Sequence, residues 1–150
     1  MAAPNAFPSF VKTGVAPVIR ITAANASSDG GGTIATDIFL VLTADTTNGS
    51  WVDYVRIIPR ASAAAASTSS TVVRLFISTQ TSGATTSANT NLIFEVNCPS
   101  VTADNTVTSV PYYDLPVNQR ITAGQTLLVT AHQGVAGNTS LGAQAFGGDY

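Results

Sequence analysis

The chain has 150 residues with six basic and eight acidic side chains, a net charge of −2, and only 9% of its residues charged, against about 25% in an ordinary soluble domain. At this length it can bury one core but not two, and with no run of basic charge it has no footprint for nucleic acid, which is not expected as a partner. So little charge leaves Thr, Ser, Asn and Gln to carry solubility and implies that other subunits cover part of the surface.

Residues 1–14, "MAAPNAFPSFVKTG", place Phe7, Phe10 and Val11 among Pro4 and Pro8 without strand alternation. They predict an extended arm ahead of one domain at 15–150. Burying three such side chains contributes roughly 5–8 kcal/mol, while ordering about ten residues costs at least as much. The arm is therefore expected to be disordered or docked on another subunit. It lacks the basic-then-apolar pattern of a leader, and the longest aliphatic run, 38–42, is far short of the ~20 residues that span a bilayer. A chain made and kept in the cytosol, or inside something assembled there, with no membrane partner, is the expectation.

Beyond the arm the apolar period is two rather than 3.6. A strand is predicted over 15–23, where Ile19 and Ile21 alternate with Arg20. The next is predicted over 34–45, and within it 36–44 is apolar on both faces, which predicts a core on one side and a neighbouring chain or arm on the other. Phe39 and Val41 are its candidate subunit contacts. Asn48-Gly49 suits a type I′ turn and predicts a hairpin into a strand over 50–60. The tract "ASAAAASTSS" (61–70) lacks amphipathic periodicity and predicts a hairpin loop or one helical turn. Further strands are predicted over 71–80, with Val73, Leu75 and Ile77 on one face and Arg74 on the other, and over 91–98, with Leu92, Phe94, Val96 and Cys98 on one face. Strands at 106–113, 117–121, 125–132 and 140–147 follow, separated by Gly-, Ser- and Pro-containing turns. Short strands at this spacing with no helix predict an all-β fold, an antiparallel β-sandwich of jelly-roll type.

The chemistry-bearing residues are sparse. His132 has no Gly-x-Ser-x-Gly elbow to serve, and Cys98 falls in register with apolar neighbours, so it predicts a buried small side chain and no disulfide. Gly30-Gly31-Gly32 lacks a following Gly-Lys-Ser/Thr. Asp45, Asn48 and Asp53 do not fit a calcium loop. Asp53 and Glu95 are single acids on separate strands, the only form a glycosidase pair can take here. Trp51, Tyr54, Tyr112 and Tyr113 have the chemistry to stack on a sugar, though such aromatics in a sandwich are more often core or interface. The Asn-x-Ser sequences at Asn25, Asn48 and Asn138 are turns. No enzyme, cofactor or metal is expected.

What remains points to assembly. Arg20, Arg56, Arg60, Arg74 and Arg120 are five of the six basic residues, and Arg suits forked ion pairs across an interface. Arg56, Arg74, Tyr112 and Tyr113 join the candidate interface set. The chain closes on "AFGGDY", where a last edge strand would anchor Phe146 and a turn at Gly147-Gly148 would set Tyr150 at a subunit boundary.

Read together, "NGSWVDYVRIIPRA", "TVVRLFISTQ", "NTNLIFEVNCPSVTADNTVTSVPYYDLPVNQRITAGQTLLVTA" and "AFGGDY" resemble small structural proteins of tailed-bacteriophage virions. The resemblance covers roughly residues 48–150 and is closest to jelly-roll head decoration, or cement, proteins. It implies a non-enzymatic homotrimer on the outer surface of the capsid that binds and stabilises major capsid protein subunits. A tail, neck or fibre-associated structural protein, and a carbohydrate-binding adsorption module, are the alternatives.

Overall fold

Alternation of apolar with polar side chains gives each segment one face to bury and one to leave out, and the chain meets that demand with strands. The structure, a computed structural model, describes residues 18–61, 66–103, 111–133 and 138–149. Among them there is no helix. The strands are β1 (Ile19–Ile21), β2 (Gly32–Thr33), β3 (Phe39–Thr43), β4 (Ser50–Ala61), β5 (Ala66–Ser67), β6 (Thr71–Ser78), β7 (Ala84–Thr85), β8 (Thr90–Cys98), β9 (Thr102–Ala103), β10 (Tyr113–Ile121), β11 (Thr126–Ala131) and β12 (Thr139–Asp149).

Two four-stranded antiparallel sheets result, in the orders β1-β12-β4-β10 and β3-β11-β6-β8. The two-residue strands pair separately, β2 with β7 and β5 with β9. The four-stranded sheets share one core. Val52, Val55, Ile57, Leu115, Ile121 and Leu141 of the first meet Val41, Val73, Leu75, Leu127 and Val129 of the second, all essentially inaccessible. The all-β, antiparallel expectation therefore holds. The arm, with Phe7, Phe10 and Val11, and the terminal Tyr150 lie outside the described residues, as do 62–65 of the alanine tract and most of the strand predicted over 106–113.

Several local expectations are corrected. Asn48-Gly49 does not close a hairpin, because β3 and β4 belong to different sheets. The turn is a corner instead: Gly49 N–H donates to Asp45 O (3.0 Å), and the N–H groups of Thr47 and Asn48 donate to Asp45 Oδ1. Gly49 does take a positive φ of 76°. A Cβ there would stand 2.4 Å from Ile121 O.

In β8 a bulge opposite Leu75 and Phe76 of β6 changes the phase of the alternation. Leu92 is turned outward, 44% exposed, while Ile93 joins Phe94 and Val96 against the core. Pro116 does not end a strand. β10 runs through it because it is the edge of its sheet, where a missing N–H leaves no partner unpaired, and its register slips between Pro116 and Gln119. The alanine tract contains neither a simple loop nor a helical turn at its described end: Ala66–Ser67 forms β5.

The doubly apolar segment 36–44 finds its second cover within the chain. Val41 faces the main core, 1% exposed, and so cannot reach a neighbouring subunit. On the opposite side Ile38 packs with Phe76 and Leu128, bordered by Ile34 and Leu40. The loop that brings Ile38 there is tied by the Asn25 side chain, which donates to Gly31 O (3.0 Å) and Asp37 Oδ2 (3.2 Å), and by Thr33 N–H donating to Asp37 Oδ1 (2.6 Å). Asn25 is thus a buried structural amide.

Candidate functional site, an arginine and aromatic face

Residues directly opposite one another in an antiparallel ladder project to the same face. In the first sheet Val55 and Ile57 of β4 point into the core, so Tyr54, Arg56, Ile58 and Arg60 point out. The partners carry the same assignment across the sheet. Phe146 lies opposite Tyr54, Gln144 opposite Arg56, Gly142 opposite Ile58 and Ser140 opposite Arg60 on β12. Asp114 lies opposite Arg56 and Arg120 opposite Trp51 on β10, and Arg20 of β1 lies opposite Gly142. Four of the five arginines, together with Trp51, Tyr54 and Phe146, therefore share one outer face.

Its centre is Arg56. The guanidinium forks onto Asp114, with Nε to Oδ1 at 2.7 Å and a second nitrogen to Oδ2 at 2.8 Å. Its Cζ lies 4.2 Å from the Tyr112 ring centroid, 5.4 Å from that of Tyr54 and 5.3 Å from that of Phe146. Tyr54 and Phe146 stack with centroids 4.6 Å apart and planes 13° from parallel. A planar cation packed on ring faces while bonding a carboxylate in its own plane satisfies both its charge and its apolar surface. The forked bond holds the Asp114 carboxyl below its ordinary range and the Arg56 cation above its own. Trp51 Nε1–H donates to Asp53 Oδ1 at 2.7 Å, and Arg120 donates to Asn48 O at the turn.

The end of β12 is fastened beside this face. Ser50 Oγ–H donates to Asp149 Oδ1 and accepts from Asp45 N–H. The ladder slips between Phe146 and Gly147, where a Cβ on Gly147 would fall 2.0 Å from Trp51 O. Phe146 is thus anchored on Tyr54 of β4, three residues beyond Ala143, where the pairing of β12 with β1 ends.

Of the predicted interface residues, Arg56, Tyr112 and Phe146 are brought together here. Tyr113 is not, because it lies opposite Ile57 and turns inward against the core; burial pushes its hydroxyl pKa upward. Arg74 sits on the outer face of the other sheet, only 8% exposed, its Nε bonded to Glu95 Oε2 at 2.6 Å and its guanidinium 3.5 Å from His132 Nδ1. Phe39 packs partly on the core. Cys98 is buried, with a thiol pushed up to about 11 by desolvation. Asp53 and Glu95 stand on the outer faces of different sheets, so they cannot flank one glycosidic bond. Sequence reasoning missed Gly142 and Asp114, and nothing local marks them: both matter only through what the ladder sets opposite them. Comparison with protein-family models, with curated proteins and with solved structures finds no match to this chain.

Proposed function

We propose that this chain is a non-enzymatic virion structural protein of a tailed bacteriophage, which decorates the head and stabilises it by binding major capsid protein subunits. The observation that carries the reading is the outer face of the first sheet. It combines Arg, Trp, Tyr and Phe, the side chains that dominate binding energy at protein interfaces, on a chain otherwise poor in charge. The nested pairings β1 with β12, β3 with β11, β4 with β10 and β6 with β8 are those of one long antiparallel hairpin wrapped into two sheets. They support a jelly-roll connection, the fold that the resemblance implies.

The mechanism is mass action: a protein that binds the assembled shell and not its separated subunits stabilises the shell. As a homotrimer it would present each contact three times, so individually weak contacts hold through effective concentration. The arm at 1–14, with Phe7, Phe10 and Val11, is assigned to a capsid or neighbouring subunit, and Tyr150 to a subunit boundary. Sugar stacking is the weaker reading, because most of the rings it needs are engaged: Tyr54 stacks on Phe146, Arg56 covers Tyr112 and Tyr113 turns inward. Copy number per particle, from a quantitative gel of purified virions, tests the proposal. Hundreds of copies support a head protein, and a handful would place the chain on the tail. Light scattering tests the trimer, which a monodisperse 15.3 kDa species would exclude.

A further inference from the structure

The arginines of this face differ in what they are free to do. Arg56 is held by Asp114 and three rings, and Arg120 by the Asn48 carbonyl. Arg20 and Arg60 are exposed, and among the described residues neither forms an ion pair. They flank Gly142, which lies opposite Arg20 and, on β12, two residues from Arg60's partner Ser140. Gly142 has no side chain and is itself buried, because the stem of Arg60 lies over it: Arg60 Cδ and Nε stand 3.3 Å from where a Cβ would be. Four residues further along the same face of β12 is Phe146, stacked on Tyr54. The ladder is unbroken from Thr139 to Phe146, so the two points are about 13 Å apart at ~3.3 Å per residue.

We propose that this face docks an extended acidic segment of a partner protein, its carboxylate held between Arg20 and Arg60 over Gly142 and an apolar side chain resting on the Tyr54–Phe146 pair. In an extended ligand, side chains at i and i+4 project to one side at this same spacing. The recognised pattern is therefore an acid and an apolar residue four positions apart, in either direction along β12. Charge complementarity selects the occupant: the face holds Arg20, Arg56, Arg60 and Arg120 against Asp53 and Asp114, and of the three arginines without an ion pair among the described residues Arg120 is tied to the Asn48 carbonyl, which leaves the two beside Gly142 to receive an acid. The chain's own first 17 residues contain no acid and one lysine, so they lack the matching charge. The inference rests on reading this face as a protein contact surface and adds the chemistry of what it contacts.

The test is selection of a random nine-residue peptide display library on the full chain, in parallel with the R20A/R60A double variant, whose fold is checked by circular dichroism. Enriched peptides are expected to share an Asp or Glu four positions from a Phe, Leu, Ile or Tyr. By fluorescence anisotropy the leading peptide should bind the double variant at least about tenfold more weakly, from the loss of charge-assisted bonds. Moving its acid by one position, which turns the carboxylate to the other side, should weaken it similarly. Enrichment without acids, acid enrichment that persists on R20A/R60A, or binding of dextran sulfate with no enriched peptide would each overturn the inference. If peptides fail yet the chain still saturates purified heads, the docking chemistry falls and the decoration reading stands; if the chain does not bind heads, the decoration reading falls whatever the peptides do.

Discussion

Replacing Gly142 with Val separates folding from docking. Gly142 lies mid-strand, opposite Arg20 and Ile58, and does not take a positive φ, so its backbone asks nothing that only glycine can give. An added Cβ meets Arg60 Cδ and Nε at 3.3 Å and Ile58 O at 3.5 Å. The carbonyl distance is ordinary contact, and the Arg60 atoms belong to an exposed side chain free to swing aside. Glycine inside a strand costs roughly 0.5–1 kcal/mol relative to alanine, and a β-branched residue recovers more on the pleated surface. Gly142→Val is thus expected to raise stability by about 0.5–1 kcal/mol, a rise in Tm of about 1–4 °C for a domain of this size. It fills the strip between Arg20 and Arg60, so attachment to heads should fall while the fold improves. Thermal unfolding by circular dichroism and head occupancy are the two readouts. A loss of more than ~1 kcal/mol would show that glycine is required structurally and refute the reasoning; improved stability with undiminished occupancy would place docking elsewhere.

Gly147→Ala is expected to behave oppositely. Its Cβ would fall 2.0 Å from Trp51 O and 2.9 Å from Val52 Cα, atoms that move only with the ladder, so urea titration should show a loss above ~2 kcal/mol, and a near-neutral result would contradict the register assigned to the end of β12. The Asp114 carboxyl, lowered in the folded state by its forked bond from Arg56, contributes stability that is present above the unfolded carboxylate value near 3.9 and lost as pH falls through the lower folded value. The gap in urea midpoint between wild type and Asp114→Asn should therefore be widest near pH 6 and shrink toward pH 3, and a gap that holds constant would remove the ion pair from the account. Cys98, 2% exposed with its thiol raised to about 11, should react with a disulfide probe at pH 8 only as fast as the chain unfolds. Immediate reaction of the native protein would contradict its burial.

How far these features are legible in the sequence depends on the range of the interaction. That Arg20 points away from the core follows from Ile19 and Ile21 on either side of it, a period-two signal within three residues. That Arg20, Arg60 and Gly142 meet does not follow from any local pattern, because the ladders joining them bridge most of the chain. The same limit governs Asn48-Gly49: the positive φ is visible in the dipeptide, while the placement of its flanking strands in different sheets is decided by the pairing of β3 with β11 and of β4 with β12. Leu92 shows how a bulge hides. "NLIFEVNC" alternates without interruption, yet one extra residue opposite β6 reverses the facing of everything before it. The break expected between strands at 106–113 and 117–121 is absent for a related reason, since an edge position tolerates Pro116 where a central strand would not. Val41 and Ile38 were legible as buried on opposite faces, but not as covered from within one chain, because Ile38 packs on Phe76 of β6 and Leu128 of β11, which are distant in sequence.

The central claim is that the outer face of β1, β12, β4 and β10 attaches this protein to an assembled shell. Its most direct test is rebinding of purified wild-type and R20E/R60E proteins to heads stripped of the native protein, at one fixed salt concentration. The expected result is saturable wild-type binding at hundreds of copies per head, with the charge-reversed protein folded but largely unbound. Equal occupancy by the two proteins, or wild-type binding at only a handful of sites, would contradict the account.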